Sequence, residues 1–352
     1  MFISHNFINN FNMNIGLKDA WKHSFHIGAA VCRDMLKEEE YDLLIKKHFS
    51  TLTVENGMKF GCIHPEENRY SWGECDYIAD YARNSNMPMR GHVMVWHNQN
   101  PKWLFVDNNE TVSKNKLYKR LEDHILSVSN RYGDVVYSWD VLNEAIDIEK
   151  GDEKGFRLSD WYKICGKDVF AFAFKKMREI CPNAKLYYND YNNESGEKMD
   201  VSLRFLSEML DAGVPIDGVG IQAHWYYNFP DEKIIRNAIE KYSALGLEIE
   251  FTEVDISLYE WSEGREASQF FKLKPEDRIK EQANRYMDLF CAASSYSAVK
   301  NITTWGIADN YTWLDNFPVS NRKNWPLMFD ENYKEKPVVQ ALIEEGLKRG
   351  RK

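Results

Sequence analysis

The amino-acid sequence predicts a single-domain α/β fold, a (β/α)8 or TIM barrel. Short runs rich in β-branched and aromatic residues alternate with longer amphipathic segments along the chain. This alternation is typical of a parallel sheet with helical crossovers. Eight strand candidates can be identified, and eight parallel strands close into a barrel. The length of 352 residues also suits one such domain.

The predicted strands and helices follow one another in regular order. The strand candidates are 26–31, 49–55, 89–96, 136–143, 185–189, 218–223, 247–253 and 301–306. The helical candidates between them include 34–47, 114–131, 159–180, 197–212, 231–245 and 275–294. Asp34, Ser159 and Asp231 are expected to cap three of these helices. An open doubly wound sheet is the alternative, but it usually begins with a glycine-rich phosphate loop, which does not follow the first strand here.

Charge and composition limit the partners that the protein can bind. The net charge of −9, from 45 basic and 54 acidic residues, argues against a general affinity for nucleic acid or anionic membranes. No apolar stretch of the sequence approaches the roughly 18 residues of a membrane span. The six cysteines have no metal-type spacing, so we expect reduced, mostly buried thiols. We therefore expect neither a nucleic-acid nor a membrane partner.

The first 16 residues are polar and rich in asparagine, with no basic region followed by an apolar run. We therefore predict an N-terminal extension over 1–16 and one folded domain over 17–352. Because no secretory signal is recognisable, we expect a cytoplasmic protein, or a secreted one if the sequence lacks its native N-terminus. The oligomeric state stays open.

Polar and aromatic residues follow the predicted strands at the C-terminal ends, where barrels of this kind assemble their active sites. In chain order these residues are Glu55 and Asn56; His92, Trp96 and His97; Asn143 and Glu144; Asn189, Asp190 and Tyr191; Gln222 and His224; Glu253 and Asp255; Trp305 and Asp309. One such residue alone is usually structural. Seven consecutive strand ends furnished in this way predict a polar cleft lined with aromatic side chains.

The candidate residues favour chemistry carried out by two carboxylates. The chain has no Gly-x-Ser-x-Gly nucleophile motif and no phosphate-binding glycine loop. His92 and His97 are five residues apart, which does not match a zinc-site spacing, so we expect no metal and no cofactor. Glu144 and Glu253 each end a predicted strand. Such a pair, with amide and indole neighbours, suits glycoside hydrolysis, in which one carboxyl group protonates the leaving oxygen and the other attacks or activates water.

These segments resemble the glycoside hydrolase family 10 xylanases from about Leu17 to Val339. The resemblance rests on eight or more motifs in order, any one of which would be weak alone. They include Phe25-His26-Ile27-Gly28-Ala29-Ala30-Val31, Glu55-Asn56-Gly57-Met58-Lys59-Phe60, Trp96-His97-Asn98-Gln99-Asn100-Pro101, Trp139-Asp140-Val141-Leu142-Asn143-Glu144, Tyr188-Asn189-Asp190-Tyr191-Asn192, Gly220-Ile221-Gln222-Ala223-His224, Thr252-Glu253-Val254-Asp255 and Thr304-Trp305-Gly306-Ile307-Ala308-Asp309.

The resemblance implies a barrel that hydrolyses β-1,4-linked xylose chains with retention of configuration. It implies that Glu144 is the general acid/base and Glu253 the nucleophile, with Asn143, His224 and Asp255 in support. It also implies that the substrate is held by Glu55, Asn56, Lys59, His92, Trp96, Gln222, Tyr191, Trp305 and Trp313. In this view Glu55, Asn56 and Lys59 bind sugars on the non-reducing side, and Tyr191 lies on the leaving side.

The expected activity is that of an endo-1,4-β-xylanase acting on xylan and xylo-oligosaccharides, with a preference for short imported chains if the protein is cytoplasmic. An exo-acting or gluco-configured β-glycosidase of the same barrel class is the alternative. A sugar-binding protein without activity would not need both carboxylates. A barrel lyase or aldolase would need a strand-end lysine, and Lys59 lies beyond its strand.

Overall fold

The computed structural model describes residues 15–261, 263 and 275–350. Eight parallel strands form a barrel, because the last strand pairs with both the first and the seventh. This confirms the predicted (β/α)8 fold. The strands are β1 (His26–Val31), β2 (Thr51–Val54), β3 (Met89–Val95), β4 (Val136–Asn143), β5 (Lys185–Asp190), β6 (Gly218–Ile221), β7 (Glu248–Ser257) and β8 (Val299–Thr304).

One long helix follows each strand and covers the outside of the barrel. These helices are α1 (Glu39–His48), α2 (Gly73–Asn84), α3 (Lys114–Tyr132), α4 (Asp168–Ile180), α5 (Gly196–Asp211), α6 (Glu232–Ser243), α7 (Glu276–Ala293) and α8 (Pro337–Arg349). A short helix, Leu17–Trp21, precedes β1. Its Trp21 ring meets Phe290 of α7 edge-on at 5.4 Å, so the start of the described chain packs on the helical layer. Most of the predicted extension, residues 1–14, lies outside the described residues.

The strand predictions agree with the structure to within a few residues, whereas two helix predictions were wrong in detail. Ser159 and Asp231 cap helices as expected, each accepting a backbone N–H of the first turn. Asp34 does not: α1 begins only at Glu39, and Asp34 makes no capping bond. The segment predicted as one helix over 159–180 is divided in two, because Gly166 has φ of +62°, a conformation that interrupts a right-handed helix and that glycine adopts readily.

Charged residues fill part of the barrel interior. The Arg90 guanidinium donates to Asp140 through Nη2 at 2.6 Å and Nη1 at 3.1 Å, and through Nε to Glu250. All three side chains are almost completely buried. Tyr137 donates to Glu250 at 3.2 Å, so the triad is hydrogen-bonded as well as paired. We refer to Arg90, Asp140 and Glu250 as the interior triad.

The barrel strands contain irregularities just before their C-terminal ends. The pairing register shifts by one residue between Phe251 and Val254 of β7 and between Asp140 and Leu142 of β4. An extra residue in one strand bends it and changes the direction of the side chains that follow. Asp140 and Asn143 are three residues apart, as are Glu250 and Glu253. In each pair the first side chain nevertheless lies in the barrel interior and the second at its mouth. Strict alternation would have turned the second member outward.

The structure bears on the expectations for the cysteines and for membrane-spanning segments. The six cysteines are free, as predicted, but the expectation that most are buried was wrong, because Cys62 is exposed and Cys32, Cys181 and Cys291 are partly exposed. Within the described part of the chain, no helix is long and apolar enough to cross a membrane.

Candidate active site

The two proposed carboxylates lie at the C-terminal mouth of the barrel. Glu144 follows β4 directly, and its backbone N–H donates to the Asn189 carbonyl of β5 at 2.9 Å. Its φ of +54° is unusual for a residue with a side chain and is characteristic of functional sites. Glu253 lies within β7 and is 5% exposed. The structure therefore brings the two predicted carboxylates to one end of the same sheet.

Asn189 and His224 hold the Glu253 carboxylate from two sides. Asn189 Nδ2 donates to Glu253 Oε1 at 2.8 Å, and His224 Nε2 lies 3.3 Å from Oε2. Burial alone would raise the pKa of Glu253, but the hydrogen bond from His224, together with the charges of His92 and His224, lowers it below the ordinary value. Glu253 is thus held ionised. Sequence reasoning placed Asn189 at a strand end but assigned it no role.

Asn189 is itself fixed by its neighbours. Its Oδ1 accepts from Thr252 Oγ1 at 2.6 Å, so its amide nitrogen must face Glu253. Gly220 of β6 packs directly beneath it: a Cβ at that position would lie 2.2 Å from Asn189 Oδ1. A larger residue at position 220 would displace the amide, so the close approach of backbone to side chain explains the glycine.

His224 is a cation placed between two carboxylates. Its Nδ1 lies 3.0 Å from Asp255 Oδ2, opposite the contact with Glu253. Burial alone would lower the pKa of His224, but the charges and hydrogen bonds of Asp255 and Glu253 raise it to about 10. Trp313 Nε1 donates to Asp255 Oδ2 at 2.8 Å. We call His224, Glu253 and Asp255 the mouth triad; it places both predicted supporting residues beside the nucleophile candidate.

Amide groups connect the two carboxylates. Gln222 Nε2 donates to Glu144 Oε1 at 3.0 Å and to Asn143 Oδ1 at 3.1 Å. Asn143 Oδ1 also accepts from Asn189 Nδ2 at 3.0 Å. Swapping the Asn143 amide would bring its oxygen to Trp96 Nε1 at 3.2 Å, but its nitrogen would then face the nitrogens of Asn189 and Gln222. The amide of Asn189 cannot turn to relieve this, because its nitrogen is bound to the Glu253 carboxylate. We therefore assign the first orientation.

His97 contacts the other side of Glu144. Its Nδ1 lies 3.5 Å from Glu144 Oε2. Burial lowers the pKa of His97 to about 4, and the positive charge of Arg157 adds to this effect, so the ring is neutral near pH 7. From sequence, His97 was placed at a strand end of the predicted cleft and a metal site with His92 was rejected, so its contact with Glu144 was not foreseen. Within the described residues, no group of three or more His, Cys, Asp or Glu side chains is arranged to hold a metal ion.

Three predicted binding residues follow β2 and form a chain of contacts. Lys59 Nζ donates to Asn56 Oδ1 at 2.8 Å, and Asn56 Nδ2 donates to Glu55 Oε1 at 3.1 Å. Burial lowers the pKa of Lys59, an effect opposed by the charges of Glu253 and Glu55. Lys59 Nζ also lies 5.0 Å from the centroid of the Trp96 ring. This group is therefore continuous with the aromatic wall of the cleft.

Aromatic rings enclose the space around the carboxylates. The His92 ring meets Trp305 edge-on at 5.4 Å and is fixed by its Nδ1, 2.9 Å from Asp140 Oδ2. The Trp313 ring lies 5.0 Å from His224. One face of the Tyr191 ring is covered by Lys198, whose Nζ lies 3.2 Å from the ring centroid. Asp309, also predicted at a strand end, is instead fully buried and pairs with Lys336 at 2.6 Å.

The chain matches known proteins along almost its whole length. The model of the family described as "Glycosyl hydrolase family 10" matches residues 16–345. The endo-1,4-beta-xylanase A of Caldicellulosiruptor saccharolyticus is 46% identical over 336 residues, covering 94% of this chain and 96% of that protein.

Solved structures show the same fold. The crystal structure of an endo-1,4-beta-xylanase from Caldicellulosiruptor owensensis superposes with a TM-score of 0.89 at 42% identity, covering 94% of this chain and 99% of that one. The structure of a mutant protein in complex with xylotriose has a TM-score of 0.89 at 41% identity, with the same coverage. The chain therefore belongs to glycosyl hydrolase family 10, whose members are retaining glycoside hydrolases.

Proposed function

We propose that the protein is an endo-1,4-β-xylanase that cleaves β-1,4-xylosidic bonds by retaining double displacement, with Glu144 as general acid/base and Glu253 as nucleophile. The observation that carries this proposal is the difference between the two carboxylates. Glu253 is buried, ionised and held on both oxygens. Among the described residues, the carboxyl oxygens of Glu144 contact neutral groups, namely Gln222, Asn143 and the uncharged His97. The names of similar proteins support xylan as the substrate.

In the first step, Glu253 attacks the anomeric carbon while Glu144 gives its proton to the oxygen of the leaving sugar. The glycosidic bond breaks, and a glycosyl ester forms on Glu253. This step is favoured because His224 of the mouth triad and the neighbouring Asn189 orient the attacking carboxylate before substrate arrives. Burial of Glu253 also removes competing water, which strengthens its interaction with the developing positive charge on the sugar.

In the second step, Glu144 is a carboxylate and removes a proton from the incoming water. The water oxygen bonds to the anomeric carbon, the ester bond to Glu253 breaks, and the product keeps its original configuration. Gln222 donates to Glu144 Oε1, which holds the carboxylate in place while it receives the proton. Two inversions at one carbon give net retention.

We further propose how the cleft binds the substrate. Glu55, Asn56 and Lys59 would hydrogen-bond sugars on the non-reducing side, since their polar atoms are already connected and aligned. Tyr191 would carry the leaving-side sugar. His92, Trp96, Trp305 and Trp313 would surround the sugar being cleaved and leave no room for the hydroxymethyl group that distinguishes glucose from xylose.

Digestion of xylohexaose and cellohexaose, with products separated by chromatography, tests the substrate and the mode of attack. We expect internal cuts of xylohexaose to give xylobiose and xylotriose, with cellohexaose cleaved far more slowly. Release of single xylose units from one end would contradict the endo mode. Faster cleavage of cellohexaose would instead support the gluco-configured alternative.

We also propose that short xylo-oligosaccharides are the natural substrates, which rests on the expectation that the protein acts in the cytoplasm. The test compares kcat/KM per cleavable bond for xylotetraose, xylopentaose and soluble xylan. A value for xylan well above that for xylopentaose would contradict this preference without affecting the proposed chemistry.

A further inference from the structure

The segment between β4 and α4 contains one arginine, Arg157, that contacts the proposed acid/base residue, Glu144. Arg157 N donates to the Ala145 carbonyl at 2.8 Å, and Asp147 N donates to the Gly155 carbonyl at 2.9 Å, so residues 145–157 form a closed turn beside the end of β4. Only 16% of the Arg157 side chain is exposed. The guanidinium is therefore held at the edge of the cleft rather than in bulk solvent.

Each nitrogen of this guanidinium has a different partner. Nε donates to the Glu144 carbonyl oxygen at 2.9 Å, Nη1 to Asp147 Oδ2 at 2.9 Å, and Nη2 to Tyr191 Oη at 2.8 Å. A planar guanidinium fixes the directions of its donors relative to one another, and a lysine ammonium cannot reproduce that geometry. The backbone of Glu144 and the phenol of Tyr191 are thus tied to one rigid group.

Both of these partners need such support. Glu144 has φ of +54°, an unfavourable conformation for a residue with a side chain that persists only when surrounding contacts impose it. Tyr191 has Lys198 Nζ 3.2 Å from its ring centroid, and Lys198 is itself bound to Asp190 at 2.7 Å. With one ring face occupied by the ammonium and its hydroxyl held by Arg157, Tyr191 can offer its other face to a sugar in a fixed position.

We infer that Arg157 is a positioning residue that aligns the Glu144 carboxyl with a sugar resting on Tyr191, so that the proton is delivered to the leaving oxygen. This inference rests on the proposed roles of Glu144 and Tyr191. Arg157 touches neither the scissile bond nor a carboxylate oxygen of Glu144. Its effect is therefore confined to reactions that need both a leaving-side sugar and a proton, and it should not alter attack by Glu253.

The test compares kcat/KM of wild type and Arg157→Lys on xylopentaose and on 2,4-dinitrophenyl β-xylobioside. The second substrate has a leaving group that needs no proton and no sugar on Tyr191. We expect Arg157→Lys to lower kcat/KM for xylopentaose roughly 10²-fold, the scale of an error of about 1 Å in the position of a reacting group. We expect a change of less than about threefold on the aryl substrate, because positioning for proton transfer is not required there.

Two further variants keep the comparison specific. Arg204→Lys changes a surface arginine that donates to the Lys154 carbonyl of the same turn at 3.2 Å, and it should leave both substrates unaffected. Tyr191→Phe keeps the ring but removes the oxygen that accepts from Arg157, so it should reproduce part of the Arg157→Lys loss on xylopentaose only. Melting curves of all variants report folding separately.

Equal losses on both substrates, or no loss on either, would overturn the inference. If wild type hydrolyses cello-oligosaccharides but not xylo-oligosaccharides, the proposed substrate fails. The same comparison on cellopentaose and 2,4-dinitrophenyl β-cellobioside then decides the role of Arg157. Inactivity of wild type on every substrate would overturn both proposals.

Discussion

The barrel contains two groups in which one cation lies between two carboxylates, and they have different consequences. In the interior triad, Arg90 is bound to Asp140 and Glu250; in the mouth triad, His224 lies between Glu253 and Asp255. The interior groups are closed off by protein on every side. At the mouth, the chain places Glu253 beside a cleft lined with amides and indoles.

The two triads differ in what the cation can do. Arginine keeps its proton under all ordinary conditions, so the interior triad is a permanent arrangement of charge. Histidine can lose its proton, and its pKa of about 10 depends on the two carboxylates beside it. When Glu253 becomes an ester, one of these negative charges disappears, so the mouth triad responds to the reaction. Similar charge patterns can therefore be structural or functional according to access and titratability.

Removing the nucleophile should have the largest effect. We expect Glu253→Ala to lower turnover on every substrate by at least roughly 10⁴-fold, since loss of a nucleophile acts on this scale in other hydrolases. We expect little change in the melting temperature, because the variant also removes a buried charge. Turnover of an activated aryl xylobioside by isolated wild type and variant checks this, and residual activity above a few per cent would contradict the assignment.

Removing the interior cation should affect stability instead. Arg90→Met leaves Asp140 and Glu250 buried without a partner, which costs about 3–5 kcal/mol of the free energy of unfolding. Denaturant unfolding measures this loss. Asp140 also contacts His92 of the cleft at 2.9 Å, so we expect the folded fraction of the variant to lose part of its kcat, but far less than Glu253→Ala loses. A normal stability would contradict the structural role of the interior triad.

A change in the mouth cation should have an intermediate effect on rate. His224→Asn removes the charged hydrogen bond to Glu253, which is worth about 1.5–3 kcal/mol, so we expect kcat to fall roughly 10- to 100-fold. The loss should appear on aryl and natural substrates alike, because it acts on the nucleophile. Unchanged kinetics on both would remove His224 from the catalytic apparatus.

The aromatic wall should determine the preference between xylose and glucose. Trp305→Ala opens space beside His92, whose ring it meets at 5.4 Å. We expect the ratio of kcat/KM for aryl cellobioside to that for aryl xylobioside to rise about tenfold, within the range for one small group in an apolar pocket. The control is Trp72→Phe, because the Trp72 ring packs on Tyr70 and on Tyr132 of α3, and this change should leave the ratio unchanged.

The pH dependence of stability reports on the charge of His224 without reference to turnover. His224 has a folded pKa of about 10, above its ordinary value of 6.5. A raised pKa stabilises the fold fully below pH 6.5, and this contribution is lost as the pH rises through 10. The difference in free energy of unfolding between wild type and His224→Asn should therefore decline between these values. A difference that stays constant from pH 6 to 10 would contradict the raised pKa.

Much of the fold and the site was predictable from sequence, for physical reasons. The strands are short apolar runs with polar residues at their C-terminal ends, so both strand positions and mouth residues such as Glu144 and Glu253 could be read directly. The sequence does not show how side chains of neighbouring strands and loops contact one another. Asn189 acquires its role only because Gly220 and Thr252 fix its amide. Arg157 lies in a turn far from any strand end, and its partners become visible only in three dimensions.

The register shifts explain another limit of sequence reasoning. Strict alternation along β7 places Glu248, Glu250 and Thr252 on one face and would turn Glu253 to the other. The extra residue between Phe251 and Val254 brings Glu253 to the mouth. Such bulges have no reliable signature in a single sequence, because they depend on pairing with the neighbouring strand.

The central claim is that Glu253 attacks one face of the anomeric carbon and that Glu144 then activates water on the opposite face, from which the leaving sugar departed. Proton NMR during the first minutes of xylohexaose hydrolysis tests it most directly, with Glu253→Ala as the control. We expect new reducing ends to appear first as the β-anomer and to equilibrate slowly afterwards, with no signal from the variant. Initial release of the α-anomer would show a single inversion and contradict the double displacement.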